Sequence, residues 1–230
     1  MDVEVLPDED AVARRAAALI AALARAAVAE RGRFLLATSG GATPWAALRL
    51  LAGEEVPWAR VHLFQVDERV APAGHPERNL TQLRSSFLSR VPILAAQVHA
   101  MPVEEADLEA AAGRYAAELR AAAGTPVVLD LAQLGLGADG HTASLFAGDP
   151  ALDVTDAEVA VAGPHQGRRR MTLTLPALGR ARRVLWIVTG AAKAEALARL
   201  RRGDPGLPAA RVRSDRAVLL TDEAAARGGS

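Results

Sequence analysis

The segment from Gly135 to Phe146, GLGADGHTASLF, sets a carboxylate and an imidazole two positions apart, at Asp139 and His141, in a glycine-rich turn. A histidine with an ordinary pKa of about 6.5 can take up and return a proton near neutral pH, and a carboxylate beside it can orient the ring. The same glycines, Gly135, Gly137 and Gly140, also satisfy the G-x-G-x-x-G fingerprint of dinucleotide-binding proteins. That fingerprint belongs at the first strand-helix turn, with an acidic residue about twenty positions later. Here it falls late in the chain, Asp139 would set a carboxylate inside the phosphate cradle, and the next candidate strand, EVAVAGP, ends in Gly163 and Pro164. The dinucleotide reading is set aside, and no cofactor is expected. An isolated D-G-H also suits a plainer role, in which Asp139 caps a following helix and His141 is an exposed turn residue. Its surroundings have to decide.

The stretch ATSGGATP offers one neighbour. Backbone N–H groups at Gly40 and Gly41, the hydroxyls of Ser39 and Thr43, and the positive end of a helix beginning near Pro44 would together hold an anion such as a phosphate monoester. Alone, the same residues make an ordinary tight turn, with Thr43 as N-cap and Pro44 at the first helical position. No G-x-x-x-x-G-K-[ST] loop is present, so a nucleoside triphosphate is not implied, and the absence of G-x-S-x-G argues against Ser39 as an esterase nucleophile. Asp67, Glu68 and Arg69 end a second strand; they could bind sugar hydroxyls, move protons or stabilise an oxyanion, or form a solvated charged turn. In the run Arg168 to Arg170, Arg170 precedes MTLT, so that one arginine could turn inward as a phosphate ligand while the other two face water. Lys193, three residues after Gly190, could add another phosphate charge, or be an exposed helix lysine.

The elements that must position these groups are legible from the pattern. Helical stretches are expected at about Asp8 to Glu30, ended by Gly32, from Leu80 to Arg90, between Glu104 and Ala123, and over AAKAEALARLRRG, closed by Gly203. A further short helix is expected to start near Thr142. Strands are expected at RFLLATS, VHLFQVDE, VVLDLAQLGLG, VLWIVTG and AVLLTD, with EVAVAG and MTLTLP as short candidates. Alternation of strands and helices implies an α/β class: a mostly parallel open sheet with helices on both faces, three-layered and Rossmann-like. Residues 1–230 are expected to form one domain. Ligands bind outside the carboxyl ends of the strands in such sheets, which selects Ser39 to Pro44, Asp67 to Arg69, Gly135 to Ser144, and Gly190 to Lys193.

Composition narrows the partners. Lys plus Arg and Asp plus Glu both number 27 in 230 residues, so no net charge draws the chain to nucleic acid or an anionic membrane. Cysteine is absent, which removes disulfides, thiol nucleophiles and thiolate metal sites and fits an intracellular address. The acidic start, MDVEVLPDED, lacks a signal peptide's basic and apolar regions, and the alanine-rich stretch after Arg15 is interrupted by Arg25, so a cytoplasmic protein is expected. His62, His75, His99 and His165 are scattered without ligand spacing, and no metal is expected.

Four segments in this order resemble the 6-phosphogluconolactonase family, within the group that includes glucosamine-6-phosphate deaminases, over nearly the whole chain. SGGATP resembles the family's sugar-phosphate loop, FQVDERV its acidic strand end, GLGADGHTASLF its active-site motif, and RMTLTLPAL with TGAAK its later phosphate-side elements. The resemblance implies that Ser39, Gly40, Gly41 and Thr43 hold phosphate with Arg170 and Lys193, that Asp67 and Arg69 line the substrate site, and that His141, supported by Asp139, is catalytic. One departure stands out: the family's Ser-Asn pair after the D-E-R segment is Arg78-Asn79 here, which leaves that serine's role without a holder and Asn79 a minor candidate. The related deaminases resemble D-G-H-I-A-F-N-E after the histidine and D-E-Y at the strand end. Thr142-Ala143-Ser144-Leu145-Phe146 supplies no such carboxylate, and D-E-R replaces D-E-Y, which favours the lactonase.

The implied activity is hydrolysis of 6-phospho-D-glucono-1,5-lactone to 6-phosphogluconate. His141 would activate the water and then protonate the leaving ring oxygen, Asp139 would orient it, and Arg69 or backbone N–H groups would hold the oxyanion. The expected partner is the small phosphosugar lactone alone, met by a monomer, with no nucleic acid and no membrane. A deaminase, or a non-catalytic sugar-phosphate sensor, is the alternative. A sensor would need an appended DNA-binding module, and no helix-turn-helix segment is present.

Overall fold

Asp8 and Gly32 delimit the first helix by capping at each end. The Asp8 carboxylate accepts from the Ala11 N–H at 2.7 Å, and Gly32, at φ 73°, returns its N–H to the Val28 carbonyl. Between them α1 (Glu9–Arg31) buries Val12, Ala13, Ala16, Ala17, Ile20, Ala21, Ala24 and Ala27, a stripe at helical spacing made mostly of alanine. The computed structural model describes residues 1–213 and 215–227. Before α1 runs a strand absent from the pattern reading, β1 (Asp2–Leu6); after it come β2 (Phe34–Thr38), α2 (Ala42–Leu51), β3 (Val61–Gln65), β4 (Asp67–Arg69), α3 (Asn79–Ser86), β5 (Val98–His99) and α4 (Leu108–Ala123). The second half holds β6 (Leu131–Leu134), β7 (Val159–His165), β8 (Arg168–Leu173), α5 (Leu175–Gly179), β9 (Val184–Val188), α6 (Ala194–Arg201), β10 (Ala217–Asp222) and α7 (Glu223–Ala226).

Seven of these strands form a parallel sheet in the order β1-β10-β9-β6-β2-β3-β5. Period-2 alternation along its strands divides the core into two. Phe34, Leu36, Leu63, Leu185 and Ile187 pack with α1, α2 and α3, while Leu35, Ala37, Phe64, Trp186 and Val188 pack with α4, α6 and the second sheet. Full burial of such side chains contributes roughly 1.5–3 kcal/mol each. The chain runs from β2 outward to β3 and β5, then returns to β6 on the other flank of β2, so the strand order reverses between β2 and β6. A crevice opens outside the carboxyl ends of the strands at such a point. The expected α/β architecture is therefore present.

The expected strand VHLFQVDE is in fact two. Val66 breaks it: its N–H donates to the Thr38 carbonyl and continues the parallel sheet, whereas its carbonyl accepts from the Leu173 N–H at 2.8 Å and begins another. The second sheet, β4-β8-β7, is antiparallel and pairs Asp67 with Thr172 and Arg69 with Arg170. The local pattern carries no sign of this, because both halves read as one buried strand and the switch is made by partners far away in sequence. Glu68, fully buried, secures the junction. Its carboxylate accepts from the N–H groups of Arg69, Asn79 and Leu80 and from Gln65 Nε2, at 2.7–2.8 Å, and so supplies the N-terminal cap of α3 that Arg78 does not. Arg78 Nε approaches Glu68 Oε2 at 3.2 Å without hydrogen-bond alignment, and its NH1 reaches the Ala71 carbonyl and Glu104.

Removing one member of a buried ion pair leaves an uncompensated charge, so Glu68→Gln is expected to lower unfolding free energy by about 3 kcal/mol. Glu104→Gln, at the half-exposed end of the same arginine, should cost under about 1 kcal/mol. Urea denaturation of both variants checks this; equal losses would remove Glu68 from its place as the anchor.

Candidate active site

A cavity of about 390 Å³ lies in the crevice. Its lining includes Ser39, Gly40, Gly41, Thr43, Asp67, Arg69, His141, Arg170 and Lys193, nine of the ten residues singled out from the sequence. Asp139, the tenth, is half-exposed and outside the lining, and it reaches the cavity through His141: its Oδ1 is 2.5 Å from His141 Nδ1 and also accepts from the His141 N–H at 3.3 Å. Burial alone would raise the Asp139 carboxyl; the hydrogen bond and charge of His141, with backbone N–H groups, outweigh it and hold the group below its ordinary value. An ionised carboxylate only accepts, which assigns the proton of His141 to Nδ1 and leaves Nε2 as the basic nitrogen.

The glycines of this segment serve the pair, not a pyrophosphate. A Cβ on Gly137 would come within 2.1 Å of His141 Nδ1 and 2.4 Å of Asp139 Oδ1, and one on Gly140, at φ 86°, would meet Leu207 at 2.0 Å. The expected short helix from Thr142 does not form. Ala143 takes φ 51°, Leu145 N–H closes onto the Thr142 carbonyl, and Thr142 Oγ1 donates to the Gly135 carbonyl at 2.8 Å. Tertiary bonds override the cap signal: Ser144 N–H donates to Thr172 Oγ1, and its hydroxyl to Asp67 Oδ2 at 2.6 Å.

Asp67 is thereby buried between Ser144 and Asn79, whose Nδ2 lies 3.2 Å from the other carboxylate oxygen. Burial raises its pKa, against the Ser144 hydrogen bond and the charge of Arg69. Asn79 Oδ1 in turn accepts from Arg69 NH1 at 2.9 Å, and a Cβ on Gly40 would strike that same oxygen at 2.1 Å. Asn79 thus couples the phosphate-loop candidate to the D-E-R strand, whereas Arg78 beside it is structural. Arg170 is buried, and burial first, then the charge of Arg69, lower its pKa. Of the other two arginines in the run, Arg169 faces water beside Glu109, as expected, whereas Arg168, on the same strand face as Arg170, is half-buried against Glu77.

At the loop the N-cap of α2 is Gly41, not Thr43, because Gly41 adopts φ 126° and the helix begins at Ala42. The N–H groups of Ala42 and Thr43 therefore have no intrahelical acceptor, and Gly41 has no side chain to provide one. Ser39 differs from expectation: its hydroxyl donates to the Gln133 carbonyl at 3.1 Å and its N–H is shared with Gln133, so both donors are taken. Thr43 Oγ1 is paired with Thr189 Oγ1 at 2.7 Å, and the Lys193 side chain, on a 3-10 turn after Gly190, has no hydrogen-bond or ion-pair partner among the described residues. The Gly190 N–H is held by Asp222 at the end of β10. Pattern reading passed over Gln133, Thr189 and Glu9 and gave Ser144, the last residue of the selected Gly135 to Ser144 segment, no role; only the position of each after or within a strand could have marked it. Among the described residues no group of three or more His, Cys, Asp or Glu side chains could hold a metal ion, and no helix is long and apolar enough to cross a membrane.

Residues 7–221 match the family model of glucosamine-6-phosphate isomerases and 6-phosphogluconolactonases. A 6-phosphogluconolactonase of Synechocystis is 41% identical over 85% of this chain and 82% of its own length. One from Mycobacterium bovis is 40% identical over 98% and 97%. The crystal structure of a 6-phosphogluconolactonase from Thermotoga maritima, 29% identical, superposes with a TM-score of 0.88 over 96% of this chain and 99% of that one.

A carboxyl whose folded pKa is raised binds more protons folded than unfolded, so its ionisation lowers stability as pH climbs through the interval above about 4. Asp67→Asn removes that cost. Its melting temperature is expected to gain on the parent protein's as pH rises from about 4 to about 8; a difference constant across that range would show that Asp67 ionises without penalty.

Proposed function

The chain belongs to the family of glucosamine-6-phosphate isomerases and 6-phosphogluconolactonases, and within it we infer that the protein hydrolyses 6-phospho-D-glucono-1,5-lactone to 6-phosphogluconate, the ester-hydrolysis step of the oxidative pentose phosphate pathway. The observation that carries the mechanism is the Asp139–His141 pair at 2.5 Å, aimed into a cavity with cationic groups on its walls. Relatives about 40% identical over most of their length carry the lactonase name. The residue after the histidine that meets Asp67 is Ser144, not a carboxylate, which keeps the deaminase reading second.

In this reading the substrate phosphate sits on the N–H groups of Gly40 to Thr43, with Lys193 supplying charge and Ser39 holding the loop in shape through Gln133, while Arg170, opposite Arg69 and over the Phe146 ring that His141 also packs against, acts at the reacting end and not on the phosphate. Binding energy gathered there places the lactone carbonyl near His141. Nε2 removes a proton from water as it attacks the carbonyl carbon; Arg69 and backbone N–H groups take the oxyanion; the imidazolium, steadied by Asp139, then protonates the ring oxygen as the C–O bond breaks. Asp67 binds sugar hydroxyls. In this reading the protein acts as a monomer in a cytoplasmic setting, which its lack of cysteine fits.

The test is proton release from freshly prepared lactone above the spontaneous rate. His141→Ala should lose turnover by about a hundredfold to ten-thousandfold with little change in affinity; an unchanged rate would remove His141 from the mechanism. No acceleration by the parent protein, with ammonia release from glucosamine 6-phosphate, would replace the lactonase by the deaminase. Lys193→Ala should raise KM while leaving kcat nearly as it was, because a phosphate contact is made equally in ground and transition states. A fall in kcat alone would move Lys193 into the catalytic group.

A further inference from the structure

A second cavity, about 110 Å³, is lined by Arg69, Glu77, Gln166, Arg168 and Arg170, so that Arg69 and Arg170 wall both cavities. Three guanidinium groups face one carboxylate there. Glu77 is committed to Arg168, which also meets His75 Nε2 at 3.2 Å. Arg69 uses NH1 on the Glu77 carbonyl and Asn79, and the one side-chain hydrogen bond of Arg170 is a long contact, 3.5 Å, to the His165 carbonyl. The Nε atoms of both Arg69 and Arg170 are buried with no hydrogen-bond partner. Those two atoms are sealed from solvent and are not what a ligand would reach; the lining carries three guanidinium charges against the one carboxylate of Glu77, and an oxyanion is the ligand that would balance the surplus.

The reaction read from the main cavity says which oxyanion. Water adds to the lactone carbonyl, the ring C–O bond breaks, and the products are a hydroxyl, a carboxylate and a released proton. The substrate is charged only at its phosphate; the product has gained a charge at the former carbonyl carbon, and its open chain is longer than the ring. The reacting end beside Arg69 then needs further room and further cations. We propose that the small cavity is a subsite for the carboxylate created by ring opening, entered past Arg69 and Arg170 and closed on its outer side by Arg168 and the hairpin tip at Gln166. It takes a carboxylate on a phosphorylated open-chain sugar acid and leaves the unopened lactone outside. The proposal rests on the lactonase reading of the main cavity.

Calorimetric titration with two open-chain ligands tests it without relying on turnover: 6-phosphogluconate, and glucitol 6-phosphate, which keeps the chain and the phosphate but ends in a hydroxymethyl group. The parent protein is expected to bind 6-phosphogluconate about tenfold or more tightly than glucitol 6-phosphate. Gln166→Glu sets a negative charge at an exposed position of the hairpin tip, already at φ 53°, and should cut that preference by about threefold. Arg168→Gln should bring the two affinities within about twofold. Glucitol 6-phosphate should bind all three proteins alike, which also reports that the variants are folded. Equal affinities in the parent protein, or a preference that survives both substitutions, overturns the subsite. Failure of both ligands to bind the parent protein would instead overturn the phosphate site of the main cavity, and the subsite with it.

Discussion

The buried carboxylate of Glu68 is the interaction on which the site's arrangement turns. One side chain answers three backbone N–H groups from two separate elements, the side-chain amide of Gln65 and the charge of Arg78. Desolvating a carboxylate is expensive, and only this density of donors makes the position tenable. The return is positional. With β4 and the start of α3 tied to a common point, Asp67, Arg69 and Asn79 face the same cavity from segments ten residues apart. Arg78 looks out of place beside a substrate pocket until it is seen as the other half of this buried pair.

Around that anchor the site is assembled at the join of two sheets with different hydrogen-bond geometry. The parallel sheet delivers backbone turns after β2, β6 and β9; the antiparallel sheet delivers side chains, with Arg69 and Arg170 directly opposite each other. Parallel strand ends suit anion-holding N–H groups, and a cross-strand pair suits two guanidinium groups held side by side. Val66 permits both by giving its N–H to one sheet and its carbonyl to the other.

Electrostatic strain at the site has a consistent sense. Asp67 is pushed toward its neutral form by burial, and Arg170 is weakened as a cation by burial and by Arg69. Each like-sign or desolvated group is one that an anionic or hydroxyl-rich ligand would relieve. Asp139 is the exception, kept ionised by the ring it orients. Close packing enforces that geometry, since the missing side chain of Gly137 is the space that the Asp139–His141 pair occupies.

Much of this was legible in the chain itself. Alternating strands and helices, the caps at Asp8 and Gly32, and the carboxyl-end rule located the cavity and nine of its lining residues, because these signals depend on neighbours within a few positions. The short edge strand β1, the break at Val66, the irregular turn at Ala143 and the move of the α2 cap to Gly41 were not legible. Each is decided by partners brought together only on folding: β10 beside Asp2–Leu6, Leu173 against Val66, Asp67 against Ser144. Residue type and order determined which chemistry the protein could carry. Tertiary structure decided which donors remain free for it, turning Ser39 inward to Gln133 while leaving Lys193 unpaired, because a polar group's availability depends on what else has already met it.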